Sequence, residues 1–178
     1  MVADTSSSKK RDILLAAILE GGGSADRVRF APRTDLEGYY RLMDDIDIAL
    51  DSHPYGGGTT TFDALWMGVP VVTARGGLPA SRSASSVLAV LGLTDWIAPD
   101  LEAFEDCVLA RAADLGGIAR LRRSLRERMR NSPLMDERGF VASFQAALEH
   151  AWREKMARQP LRGAGGTRGL QSPAGPRQ

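Results

Sequence analysis

The stretch Asp47 to Thr73, DIALDSHPYGGGTTTFDALWMGVPVVT, leaves few folds open to this chain. Ile48, Ala49 and Leu50 form a short apolar run between Asp47 and Asp51, as in a strand buried in a parallel sheet. Pro54 and the glycines Gly56, Gly57 and Gly58 interrupt it. From Thr59 to Met67, the residues Phe62, Leu65 and Trp66 fall at i, i+3 and i+4, which gives a helix one apolar face. Gly68 stops that helix, and Pro70 precedes the β-branched pair Val71 and Val72, suited to a second buried strand. Strand, glycine loop, helix and strand in this order make a βαβ unit and call for an α/β fold.

The start of the helix carries the chemistry. Its first backbone N–H groups have no intrahelical partner and lie at the positive end of the helix dipole, so they attract an anion. Gly57 and Gly58 let a ligand come close, and Thr59, Thr60 and Thr61 supply hydroxyls that cap the helix or donate to phosphate oxygens. Asp63 lies in the first turns, where its carboxylate can reach back to the hydroxyls of a ribose. The same residues also fit a bland account: Thr is a common cap, Asp is favoured there by the dipole alone, and glycines make turns. No lysine follows the loop as in a P-loop, and Thr61 stands where GxGxxG would place its third glycine. Local chemistry points to phosphate without naming the ligand.

Flanking segments extend the α/β pattern. Lys9 to Leu19 is predicted helical through Ile13, Leu14, Ala17 and Ile18, and Arg27 to Phe30 alternates charged and apolar residues as a short strand does. Leu36 to Met43 is the next predicted helix and carries Tyr39 and Tyr40; Tyr39 could stack on a base or pack internally. After Thr73, the loop Ala74 to Pro79 sits at the carboxyl end of a strand, where open α/β sheets bind ligands. A helix from Ser81 to Leu91 follows, with Arg82 facing either a diphosphate or solvent. Trp96 and Ile97 form a brief apolar step. Helices are predicted from Asp100 to Leu115, from Ile118 to Met129 with a solvated basic face, and from Asp136 to about Met156 with Phe140, Phe144, Ala147, Leu148 and Trp152 on one side. His53 stands alone before a proline, without the cluster that metal binding needs.

At these residues the sequence resembles a known family. LDSHPYGGGTTTFDALWMGVPVVT, then ASR at Ala80 to Arg82, LGL at Leu91 to Leu93, RVRFAP at Arg27 to Pro32 and NSPLMDERGF at Asn131 to Phe140 are similar to the C-terminal catalytic lobe of O-linked N-acetylglucosamine transferases, in their bacterial SPINDLY-like branch. The likeness covers residues 9 to 155. It implies one Rossmann-like lobe of a GT-B glycosyltransferase, a parallel sheet flanked by helices, with a helical C-terminal segment. The expected divisions are a disordered 1 to 8, the nucleotide-sugar-binding lobe 9 to 157 and a disordered tail 158 to 178, rich in Gly, Pro and Arg.

The activity implied is inverting transfer of a sugar, N-acetylglucosamine from UDP-N-acetylglucosamine, to Ser or Thr of a protein acceptor. The donor-binding residues implied are Gly57, Gly58, Thr59, Thr60, Asp63, Tyr39 and Arg82, with no metal. The chain departs from eukaryotic members at Leu36 and Tyr39, where they have a nucleotide-contacting Lys and His, and at Gly58, where they have a histidine. A nonenzymatic nucleotide-sugar binder, or an inactive fragment, is the alternative. The chain is expected to open at a mid-lobe helix, with the preceding strand, the N-terminal lobe and the helical repeats on a neighbouring chain, and an unpaired sheet edge is expected here.

Composition agrees with one globular core: 178 residues, 43% hydrophobic, net charge +1. That charge offers no attraction for nucleic acid or a membrane, and no apolar run is long enough to span one. The single Cys107 has no disulfide partner, which suits a reducing cytoplasm.

Overall fold

A computed structural model of the chain describes residues 8 to 158; apart from Ser8 and Arg158, which end helices, the two tails lie outside it. The described residues divide between Asp136 and Glu137 into two units. The first holds α1 (Ser8–Glu20), α2 (Leu36–Asp44), β1 (Ala49–Leu50), α3 (Thr59–Trp66), β2 (Val71–Ala74), α4 (Ser83–Val90), β3 (Ile97–Ala98), α5 (Phe104–Ala112) and α6 (Leu115–Arg130). The second is α7 (Glu137–Arg158).

Three strands lie in the order β1-β2-β3, all parallel, with Ala49 opposite Val71, Leu50 opposite Val72 and Thr73 opposite Ile97. Helices α3 and α4 make the two crossovers, as a parallel sheet requires. Every residue of the central β2 is buried, which is why its sequence is a continuous apolar and β-branched run. Around it, Leu65, Val69, Val72, Leu88 and Leu125 are fully buried and join Trp96, Ile118 and Met129 in one core. Among the described residues the outer edge of β1 pairs with no strand, and Leu50 is 48% exposed.

Both α3 and α4 end on a glycine in the left-handed region, Gly68 at φ 83° and Gly92 at φ 67°. Beyond α3, the N–H of Val69 donates to the Ala64 carbonyl at 2.7 Å and that of Gly68 to Leu65 at 3.1 Å, closing the helix with a Schellman motif. A Cβ at Gly68 would also lie 3.0 Å from the Arg122 carbonyl oxygen, so this glycine lets α6 approach α3 as well.

Several boundaries differ from those predicted. Arg27 to Phe30 is not a strand: a 3-10 turn covers Ala25–Arg27, and Val28 is extended at φ −108°, ψ 122° but has no ladder partner among the described residues. A strand needs a neighbour, and alternation cannot supply one. The helix predicted from Ser81 is split into a 3-10 turn, Pro79–Arg82, and α4, because Ser81 Oγ bonds back to Leu78 and closes the turn. The helix predicted over Asp100 to Leu115 is only α5; Asp100 accepts from the Ala103 N–H at 2.9 Å in a turn ahead of it, and Asp114 caps α6 through Gly117 N–H at 2.7 Å.

Of the stripe Leu121, Leu125 and Met129 expected on helix α6, Leu125 and Met129 are buried together with Ile118 and Leu121 is half-buried, yet the basic face is not simply solvated. Arg122 donates to the Ile46 carbonyl, Arg126 Nε to the Trp66 carbonyl at 2.8 Å, and the guanidiniums of Arg126 and Arg130 lie 5.5 and 5.8 Å from the Trp66 ring. Arg126 and Arg130 clasp the end of α3 and cover a tryptophan that is only half-buried, while Arg122 holds the turn after α2. In α7, Phe140 and Phe144 stack at 5.9 Å, and Phe140, Phe144, Leu148 and Trp152 are exposed. Among the described residues no helix is long and apolar enough to cross a membrane.

Candidate functional site

The loops after β1 and β2 meet at the carboxyl edge of the sheet, where Gly56 N–H donates to the Ala80 carbonyl at 3.2 Å. Asp51, the first residue beyond β1, holds this edge together. Its Oδ1 accepts from Gly57 N–H at 2.6 Å, and its Oδ2 accepts from the Thr73 hydroxyl at 2.7 Å. Thr73 is only 1% exposed, so this carboxylate satisfies a buried hydroxyl on β2 and a loop amide together. Sequence reasoning treated Asp51 only as a strand boundary; an acid at the end of a parallel strand, followed by a glycine loop, was the available signal.

Gly57 is confined by this arrangement. A Cβ there would lie 2.6 Å from Thr61 Oγ1 and 2.8 Å from Thr60 Oγ1, so the loop can press against the helix start only without a side chain. The cap of α3 is Gly58, with no side-chain hydrogen bond, so the threonines lie inside the first turn and none of them is the cap. Thr61 is buried. The first intrahelical bonds run from the N–H groups of Thr61 and Phe62 to the Gly58 carbonyl at 3.0 and 3.2 Å. The amides of Thr59 and Thr60 come before them and are the orphan donors of the helix end. Gly57 differs, because its amide is already bonded to Asp51.

Beside this helix end lies a cavity of about 250 Å³ between α2, β1 and α3. Asp51, Ser52, Thr60 and Asp63 form its polar side, while Leu42, Met43 and Ile46 form its apolar side. Tyr39 lines it too, and its hydroxyl donates to Asp63 Oδ2 at 3.4 Å; the neighbouring Tyr40 hydroxyl donates to Oδ1 at 3.3 Å. The tyrosine rings are tilted by 54° with centroids 5.4 Å apart. Burial, then the Asp63 charge, raises the Tyr39 phenol above its ordinary value, and the Asp63 charge raises that of Tyr40. Both keep their protons at neutral pH and act as donors.

The structure thus gathers Tyr39, Thr60 and Asp63 around one cavity, with Gly57, Gly58 and Thr59 in the adjoining turn. Arg82 stands apart on the second loop, where its Nε donates to the Gly76 carbonyl at 2.8 Å and holds the turn of 75 to 80. His53 lies near Gly76 in the same pair of loops. Tyr40 was seen in the sequence without a role. Cys107 packs against the core and its thiol is pushed up by burial.

Three parallel strands with a glycine loop opening into a helix at their carboxyl edge define a Rossmann-like lobe of the nucleotide-binding α/β class. Residues 8 to 144 match the model of glycosyl transferase family 41, and the chain belongs to that family. It is 38% identical over 114 residues to a tomato protein named "Probable UDP-N-acetylglucosamine--peptide N-acetylglucosaminyltransferase SPINDLY", covering 64% of this chain and 12% of that protein. The rice protein of the same name is 34% identical over 144 residues, 80% of this chain and 16% of its own length. A mutant O-GlcNAc transferase from Thermobaculum terrenum, of solved structure, superposes with a TM-score of 0.76 at 35% identity, over 84% of this chain and 29% of that one. The chain therefore spans a small part of the relatives it matches.

Proposed function

We propose that this lobe is the donor-binding half of a protein O-glycosyltransferase that moves a sugar, N-acetylglucosamine from UDP-N-acetylglucosamine, to Ser or Thr of an acceptor protein. One observation carries this reading: in a chain of family 41, Thr60 and Asp63 line a single cavity, and the orphan amides of Thr59 and Thr60 lie in the helix turn beside it. A diphosphate at the helix end would take N–H donors and dipole, and the ribose would offer its hydroxyls to Asp63. In an inverting transfer the acceptor oxygen attacks as the diphosphate leaves, so preorganised N–H donors stabilise the growing charge without a metal. The acceptor-side groups are assigned to protein outside the described residues, on this polypeptide or a neighbouring one, and the compartment to the cytoplasm.

The proposal is tested by titrating isotopically labelled protein with UDP and, separately, GDP. Chemical-shift changes centred on the amides of Thr59 and Thr60 with UDP are expected. Changes confined to regions far from Gly58 to Asp63 would refute the placement, and a response to GDP alone would replace the donor nucleotide.

A further inference from the structure

Asp63 is held by two tyrosines in a way that its place in the helix does not require. An aspartate in the first turns of a helix gains from the dipole in any rotamer. Here each carboxylate oxygen accepts one phenolic hydroxyl from α2, Oδ2 from Tyr39 and Oδ1 from Tyr40. An ionised carboxylate has about four acceptor positions, so one on each oxygen remains for other donors. Two adjacent acceptors, one on each oxygen, are the complement of two adjacent hydroxyls.

We propose that Tyr40, with Tyr39, is a positioning residue that fixes the Asp63 carboxylate so that its two remaining acceptor positions take the vicinal 2′- and 3′-hydroxyls of the donor's ribose. This rests on the donor-binding reading of the site and adds which groups set its ribose selectivity. The bonds of 3.3 and 3.4 Å are long for O–H···O, so each is weak alone, and their effect is to remove carboxylate rotamers rather than to hold α2 in place. Tyr40 touches no ligand in this scheme and acts only through Asp63. If Tyr40 merely packed α2 against α3, its hydroxyl would matter equally for every nucleotide.

The test compares UDP with its 2′-deoxy and 3′-deoxy analogues by calorimetry, on the full chain and on Tyr40→Phe, Asp63→Asn and the double variant, with thermal unfolding confirming that each is folded. The parent is expected to bind UDP more tightly than either deoxy analogue. Tyr40→Phe is expected to weaken UDP by about three- to tenfold, the scale of one modest hydrogen bond. It should leave the deoxy analogues within about twofold, and should add nothing in the Asp63→Asn background, as coupled residues behave. Equal losses for all three ligands, or additive losses in the double variant, would overturn the positioning role while leaving donor binding intact. A parent that does not distinguish UDP from its deoxy analogues would overturn it too. A parent that binds no UDP would overturn the donor-binding reading itself.

Discussion

Two cavities of the first unit invite comparison. The larger, about 370 Å³, lies between α5, α6 and the turn before β3 and is lined by Arg111, Arg120 and Arg128; the smaller, about 250 Å³, lies at the start of α3 and has no arginine on its wall. Charge alone would put an anionic ligand in the larger one. Two of its three arginines are already engaged, however. Arg120 faces Asp114 at 3.9 Å, Arg128 donates to the Leu91 carbonyl at 3.4 Å, and the Arg111 guanidinium lies 6.0 Å from the Trp96 ring with its Nε buried and unbonded. At the smaller cavity the donors are backbone amides that the helix itself cannot satisfy, and the acceptor carboxylate is oriented by two hydroxyls. What distinguishes the proposed site is preorganised groups with capacity left over, and net charge is a poor guide to such a site.

Three substitutions would break or sharpen this contrast. The largest effect is expected from Asp51→Ala, which leaves the buried Thr73 hydroxyl and the Gly57 amide without their acceptor. A loss of about 2 to 4 kcal/mol in unfolding free energy, measured by urea denaturation, follows from two orphaned polar groups. A loss below about 0.5 kcal/mol would mean that the loop keeps its shape without the carboxylate. Asp63→Ala comes next and should weaken UDP by about 1 to 3 kcal/mol in calorimetry, the range for a hydrogen bond to a charged group. Unchanged affinity would return Asp63 to the part of a helix-dipole residue. The smallest effect belongs to the other cavity: Arg111→Met should shift UDP affinity by less than about 0.5 kcal/mol, as independent sites do. A larger shift would show that the donor reaches the α5–α6 side after all.

Much of this molecule was legible in local pattern. The βαβ order around Asp47 to Thr73, the glycine stops at Gly68 and Gly92 and the apolar stripe of α6 all came from spacing or from backbone freedom that a single residue confers. Motif resemblance, which reads many residues at once, led to the family. Errors gathered where a partner decides the outcome. Arg27 to Phe30 alternates like a strand but has no neighbour to pair with among the described residues, and the arginines of α6 read as a solvated face because nothing local places Trp66 and its carbonyl within their reach.

By itself the sequence determined the class of fold, the position of the glycine turn and the residue types at the helix start, because these depend on periodicity and on φ, ψ preferences carried by each residue. Only tertiary structure decided that Asp51 spends the Gly57 amide, that Tyr39 and Tyr40 from one helix hold Asp63 on another, and that Arg82 braces a loop. Those bonds join residues up to 24 positions apart in the chain. A hydrogen bond is set by distance and angle in space, and no local pattern encodes either once the chain has turned back on itself.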